Sequence, residues 1–189
     1  VRRPALIGGL VTTAVLTVAG ASAAAPTATA TAATCTGADR PAPSATIAQT
    51  RAALLCVVNA ARTDRQLAPL RVETHLQTAA QRFARALDPA KPLTHTGGGG
   101  SSPLDRIADA GYGRGAAGFS AAETLGRSQG ALATPATRAQ AWLASGVTRR
   151  LLLSAKYRDI GIGVVTKGDA TTFVVEVAAR VTASSRGSR

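Results

Sequence analysis

Residues 159–179 read DIGIGVVTKGDATTFVVEVAA, and this stretch decides the class of fold. Ile160, Ile162 and Val164 alternate with Gly161, Gly163 and Val165, the two-residue period of a strand with one face buried. Thr171 to Ala179 is dense in strand-favouring residues, and Lys167-Gly168-Asp169 between the runs reads as a tight turn. The spacing predicts an antiparallel hairpin. On the same alternation Phe173, Val175 and Val177 share one face, and Glu176 is expected to point the other way, toward solvent.

Upstream of the hairpin the apolar residues recur at helical intervals. Ile47, Leu54, Leu55, Val58 and Ala61 predict an amphipathic helix over 46–63 that carries Cys56. Asn59 and Arg62 fall off its main stripe, and Arg62 is placed to reach a carboxylate. After a short loop with Pro69, Thr74 is expected to cap a second helix. Its stripe is Leu76, Ala79, Ala80, Phe83, Ala84 and Leu87, and Pro89 and Pro92 end it. The glycine run at 97–100 leads into Ser102 as N-cap, with Pro103 in the first turn, Asp105 near the positive helix end and Gly111 as the stop. Thr134-Pro135 repeats that start signal, and Ala139, Trp142 and Leu143 follow on one face, with Trp142 as a core anchor. Helices thus fill the first two thirds and strands gather at the end, without βαβ alternation. The fold class is α+β, helices covering an antiparallel sheet, and a parallel doubly wound fold is not expected.

The other end of the chain addresses export. Arg2 and Arg3 precede an uncharged run from Ala5 to Gly20, which closes in Ala21-Ser22-Ala23-Ala24-Ala25 before Pro26. That order of charge, apolar run and small residues reads as a signal peptide over 1–25 and a secreted, extracellular product with no membrane span in its mature part. Residues 26–45 are nearly all Ala, Thr and Pro and read as an arm tied down at Cys35. The folded domain is expected over 46–181, and 182–189 reads as a frayed tail. About 165 residues remain after cleavage, one domain's worth, expected to be a monomer. Cys35 and Cys56 suit a disulfide in an oxidising compartment; two cysteines alone cannot build a structural zinc site. Cys35 also lacks a large aliphatic residue three positions upstream, which argues against lipidation.

The formal charge is +12, or +10 once Arg2 and Arg3 are subtracted. The expected partners are an anionic envelope polymer or lipid headgroups. The arginines are scattered singly, apart from Arg149-Arg150, and no basic run is interleaved with aromatics, so nucleic acid is not an expected partner.

Common catalytic signatures are missing. Gly118-Phe119-Ser120-Ala121-Ala122 lacks the closing glycine of a nucleophile elbow, and no H-E-x-x-H or phosphate-binding loop occurs. Of the two histidines, His75 falls in the first turn of an amphipathic helix at a solvated position. His95 lies on irregular chain before the glycine run, where a side chain can line a cleft.

Several segments in order complete a pattern. Leu55-Cys56-Val57-Val58-Asn59-Ala60-Ala61-Arg62, Leu67-Ala68-Pro69-Leu70, Thr94-His95-Thr96, Asp105-Arg106-Ile107, Ala122-Glu123-Thr124-Leu125, Ala141-Trp142-Leu143-Ala144-Ser145 and Tyr157-Arg158-Asp159-Ile160-Gly161-Ile162-Gly163-Val164 carry it. Together they resemble a bacterial member of the CAP superfamily: cysteine-rich secretory, antigen 5 and pathogenesis-related proteins, or SCP-like extracellular domains. The resemblance covers about residues 47–179. It implies an α-β-α sandwich and a cleft whose histidines and glutamates bind a divalent metal in some members. His95 matches the first cleft histidine and Glu123 the glutamate of the Gly-Glu-Asn signature, here flanked by Ala122 and Thr124. Thr148 stands where bacterial relatives place a second histidine.

That departure weakens the metal expectation, because a threonine hydroxyl is a poor substitute for imidazole. His95 and Glu123 alone would hold a divalent ion such as zinc weakly, so no cofactor is expected. Three readings follow: a non-catalytic binding module at or near the bacterial envelope, a hydrolase using His95 as general base with Glu123 orienting it, and a purely structural module.

Overall fold

The computed structural model describes residues 35–181. The segments expected to be a signal peptide, the first part of the arm and the tail lie outside the described residues. The elements in chain order are α1 (Ile47–Thr63), β1 (Arg71–Val72), α2 (Thr74–Ala86), α3 (Pro103–Asp109), β2 (Gly118–Gln129), α4 (Pro135–Ala144), α5 (Gly146–Leu152), β3 (Asp159–Lys167) and β4 (Ala170–Val181). They form one sheet in the order β1-β3-β4-β2.

The hairpin forms as the alternation predicts. β3 and β4 pair antiparallel from Asp159↔Ala178 to Lys167↔Ala170. Gly168 takes the left-handed φ of 61° that the tight connection needs. β4 is also paired along its other edge, by β2, from Gly118↔Val181 to Gln129↔Ala170. No alternation or turn signal in the sequence marks β2.

Helices cover both faces, which makes the α-β-α sandwich. On one face Ile160, Ile162, Val164, Phe173, Val175 and Val177 pack with Leu54 and Val58 of α1, Trp142 of α4 and Leu152 of α5. On the other, Leu76 and Ala79 meet Ile107 and Ala178, while Ala80 and Phe83 meet Val174.

α2 rests on β3 without intervening side chains. A Cβ at Gly161 would run into the Leu76 carbonyl, and one at Gly163 into the Ala80 carbonyl. The same helix closes the open edge of β3. Beyond β1, the Glu73 amide donates to the Ile160 carbonyl. The Gln77 side chain then answers both the N–H and C=O of Ile162, and Gln81 answers both groups of Val164. Four residues of helix rise about 6.0 Å and two residues of strand about 6.6 Å, so a side chain every fourth residue stays in step with every second strand residue. Side-chain amides thus replace a neighbouring strand.

Three expectations need correction. Arg62 does not reach a carboxylate: it is fully buried and donates to the carbonyls of Ala68, Leu152, Ser154 and Tyr157, which ties α1 to the entry of β3. The cap of α2 is Glu73, whose carboxylate accepts from the Leu76 amide, and Thr74 is the first helical residue. Residues 35–45 belong to the packed unit, with Cys35, Ala38 and Ala42 buried against the α1 face of the sheet. The Cys35–Cys56 disulfide fastens that segment to α1.

Other signals act as read. Ser102 and Asp105 form a reciprocal capping box, and the Thr134 hydroxyl accepts from the Thr137 amide. Trp142 is buried and donates to the Leu125 carbonyl at 3.1 Å.

Because α2 lies on bare backbone at Gly163, Gly163→Ala is expected to cost about 3 kcal/mol or more in chemical denaturation. Gly98→Ala, with nothing within 4 Å of the added methyl, is the matched control and is expected to stay within about 0.5 kcal/mol of wild type. Equal behaviour of the two variants would contradict this account of helix placement.

Candidate functional site

The site lies where β2 passes under the loop that joins α2 to α3. Glu123 stands midway along β2, opposite Glu176 in the ladder, and Gly161 of β3 flanks Glu176 on its other side. The three positions form one row across the sheet, on the face that α2 and α3 cover.

The structure brings His95 and Glu123 together. His95 Nδ1 lies 2.7 Å from Glu123 Oε1, although the two are 28 positions apart in sequence. The Glu123 side chain is fully buried, while the His95 side chain is 58% exposed. With Nδ1 bound to a carboxylate, the imidazole turns its other nitrogen outward.

A third residue completes the group. Arg106, in α3, donates from one terminal nitrogen to Glu123 Oε2 at 2.8 Å. Its other terminal nitrogen donates to the carbonyls of His95 (3.1 Å) and Ser101 (2.8 Å), on either side of the glycine run. The guanidinium carbon sits 3.5 Å from the centroid of the Phe83 ring. One cation therefore neutralises Glu123, closes the glycine loop and stacks on the core. Arg106 falls within the Asp105-Arg106-Ile107 segment, but nothing in its spacing signals contact with Glu123.

Thr148 takes no part in this group. Its hydroxyl donates to the carbonyl of Trp142 at the end of α4. His75 is half exposed and bound to Glu73, the cap of α2, which Arg180 also engages.

The structure overturns the solvent-facing expectation for Glu176. Alternation gave the right side of the strand, but α2 covers that side, and Glu176 is fully buried with both carboxyl oxygens unpartnered. Burial pushes its carboxyl up to about 9; neighbouring Glu123 adds to the shift and Arg106 opposes it. Glu176 is therefore a neutral acid at pH 7.

The donor set does not suit a divalent ion. Both oxygens of Glu123 are engaged, one of them by a fixed cation, and Thr148 points elsewhere. Among the described residues no three His, Cys, Asp or Glu side chains are grouped to hold a metal.

A model of the cysteine-rich secretory protein family matches residues 55–177. The chain belongs to the CAP family. A search of curated proteins returns no match. Among solved structures, an outer surface protein from Borrelia burgdorferi is 22% identical with a TM-score of 0.61, over 72% of this chain and 96% of that one. An extracellular SCP-domain protein from Bacillus anthracis is 16% identical with a TM-score of 0.56, over 70% of this chain and 43% of that longer one. These likenesses confirm the fold. The chain is a CAP-type module of a family of extracellular and secreted proteins, and its disulfide fits that setting. No helix among the described residues is long and apolar enough to cross a membrane.

The buried acid generates a pH signature. Between the ordinary carboxyl value of 4.5 and about 9, folded Glu176 keeps a proton that the unfolded chain has lost. The native state then binds more protons, so this residue makes stability fall as pH rises through that window. Glu176→Gln removes the dependence. The melting temperature of the variant relative to wild type is expected to rise from near zero difference at pH 4 to a clear excess at pH 9. A difference that stays flat with pH would contradict the assignment.

Proposed function

We propose that this CAP domain is a non-catalytic binding module at or near a bacterial cell envelope and that its ligands are anionic. The observation that carries this reading is the closed state of Glu123: its oxygens are taken by His95 and Arg106, so Glu123 is free neither as a base of its own nor as a metal ligand. Among the described residues, His95 makes no hydrogen bond to any serine, threonine or cysteine side chain that could serve as nucleophile. The formal charge of +12 supports anionic ligands, since attraction between opposite charges favours such partners at any orientation.

One observation favours a second reading. An imidazole oriented through Nδ1 by a carboxylate, with its opposite nitrogen outward, is the arrangement of a general base. The hydrolase reading therefore rests on His95 and Glu123, and it lacks a nucleophile.

Sedimentation of the full chain with anionic and neutral vesicles and with anionic envelope polymers, at about 0.1 M salt, separates the two readings. Binding to the anionic partners alone, weakening as salt rises and unchanged in His95→Ala, is expected. Absence of any binding would overturn the first reading. Turnover of an ester or amide panel that vanishes in His95→Ala would replace it with the second.

A further inference from the structure

A groove of about 350 Å³ lies between α1 and α2, away from the His95 cleft, and three of its walls are arginines: Arg51, Arg82 and Arg85. No carboxylate lines it. The chain has ten acidic residues, and all ten lie among the described residues, so none outside the described part is left to fill that role. The principal ion pairs are made elsewhere, by Glu73, Asp88, Glu123 and Asp159. Like charges are thus gathered without a counter-charge.

Arg51 is fixed rather than solvated. One terminal nitrogen donates to Gln81 Oε1, and Gln81 is itself bound to the N–H and C=O of Val164. The sheet edge therefore holds the guanidinium. Its Nε is buried and has no partner. Burial and the nearby charge of Arg85 both lower its pKa, the sign of a cation held at a cost. Thr74, Thr78, Arg82 and Arg85 line the opposite wall at helical spacing, which turns both arginines of α2 toward the groove.

We propose that this groove binds a phosphate ester, whose several acceptor oxygens can be shared among three guanidinium forks. Planar guanidinium groups pair with phosphate through parallel hydrogen bonds, and a concave site of this volume suits one small headgroup. The proposal rests on the anionic-ligand reading above and gives it a location. A phosphate ester could come from a lipid headgroup or from a soluble glycerol phosphate unit, and the two sources share this chemistry.

The test compares the full wild-type chain with two double variants of equal net charge, Arg82→Gln/Arg85→Gln and Arg149→Gln/Arg150→Gln. Probes are sn-glycerol 1-phosphate, followed by amide chemical shifts, and phosphatidylglycerol vesicles set against phosphatidylcholine vesicles, followed by sedimentation. Loss of at least about tenfold in affinity for the phosphate probes in the first variant, with little change in the second, is expected. Amide shifts should concentrate around Arg51, Gln81 and Arg85. Arg51→Gln, which keeps the Gln81 anchor on Val164, should reproduce the loss while melting near wild type. Vesicle binding that glycerol phosphate displaces marks a shared site, and binding of glycerol phosphate alone marks the soluble source; both support the groove. Equal loss in the two double variants would overturn the groove while sparing the anionic-ligand reading. No binding of either probe by wild type would overturn the groove, while retained binding to the anionic envelope polymers would leave the anionic-ligand reading standing.

Discussion

The cleft is organised around one buried carboxylate. Glu123 sits inside the sandwich beside a second acid, Glu176, and burying two such groups side by side is tolerable only if the local charge is answered. Arg106 answers it with a guanidinium against one Glu123 oxygen, and Glu176 keeps its proton. The rest of the site follows from that settlement. The same guanidinium holds the His95 and Ser101 carbonyls on either side of the glycine run, so the position of His95 depends on the ion pair. A structure that needs its cation in place to hold the loop is poorly suited to exchange that cation for a metal.

The platform beneath the site is the contact of α2 with β3. Gly161 and Gly163 let the helix backbone settle on the strand, and Gln77 and Gln81 finish the strand edge. Two consequences meet here. The helix that covers Glu176 on one side also carries Arg82 and Arg85 on its outward side, and Gln81 joins the sheet edge to Arg51. The thirteen residues of α2 therefore cover the buried acid on one side and carry two of the groove's three arginines on the other.

Legibility in the sequence followed the strength of local signals. The β3–β4 hairpin and the stripe of α2 carry clear periods, and the Ser102 and Thr134 caps are short motifs with a direct physical cause. β2 was invisible because Gly118-Phe119-Ser120-Ala121-Ala122 has few strand-favouring side chains; pairing along all of β4 makes it a strand. Arg62 was misjudged because its partners are backbone carbonyls, which leave no mark in sequence. Glu176 was misjudged because alternation tells which side a residue takes and not what covers that side. The meeting of His95 with Glu123 rested on family resemblance alone, and no spacing rule pointed to Arg106.

A crystal structure of the full chain soaked with zinc at neutral pH tests the central claim most directly. The account predicts the Arg106 guanidinium still paired with Glu123, His95 Nδ1 still on the other oxygen, and no zinc bound to either side chain. An ion on His95 and Glu123 with Arg106 swung away would contradict it.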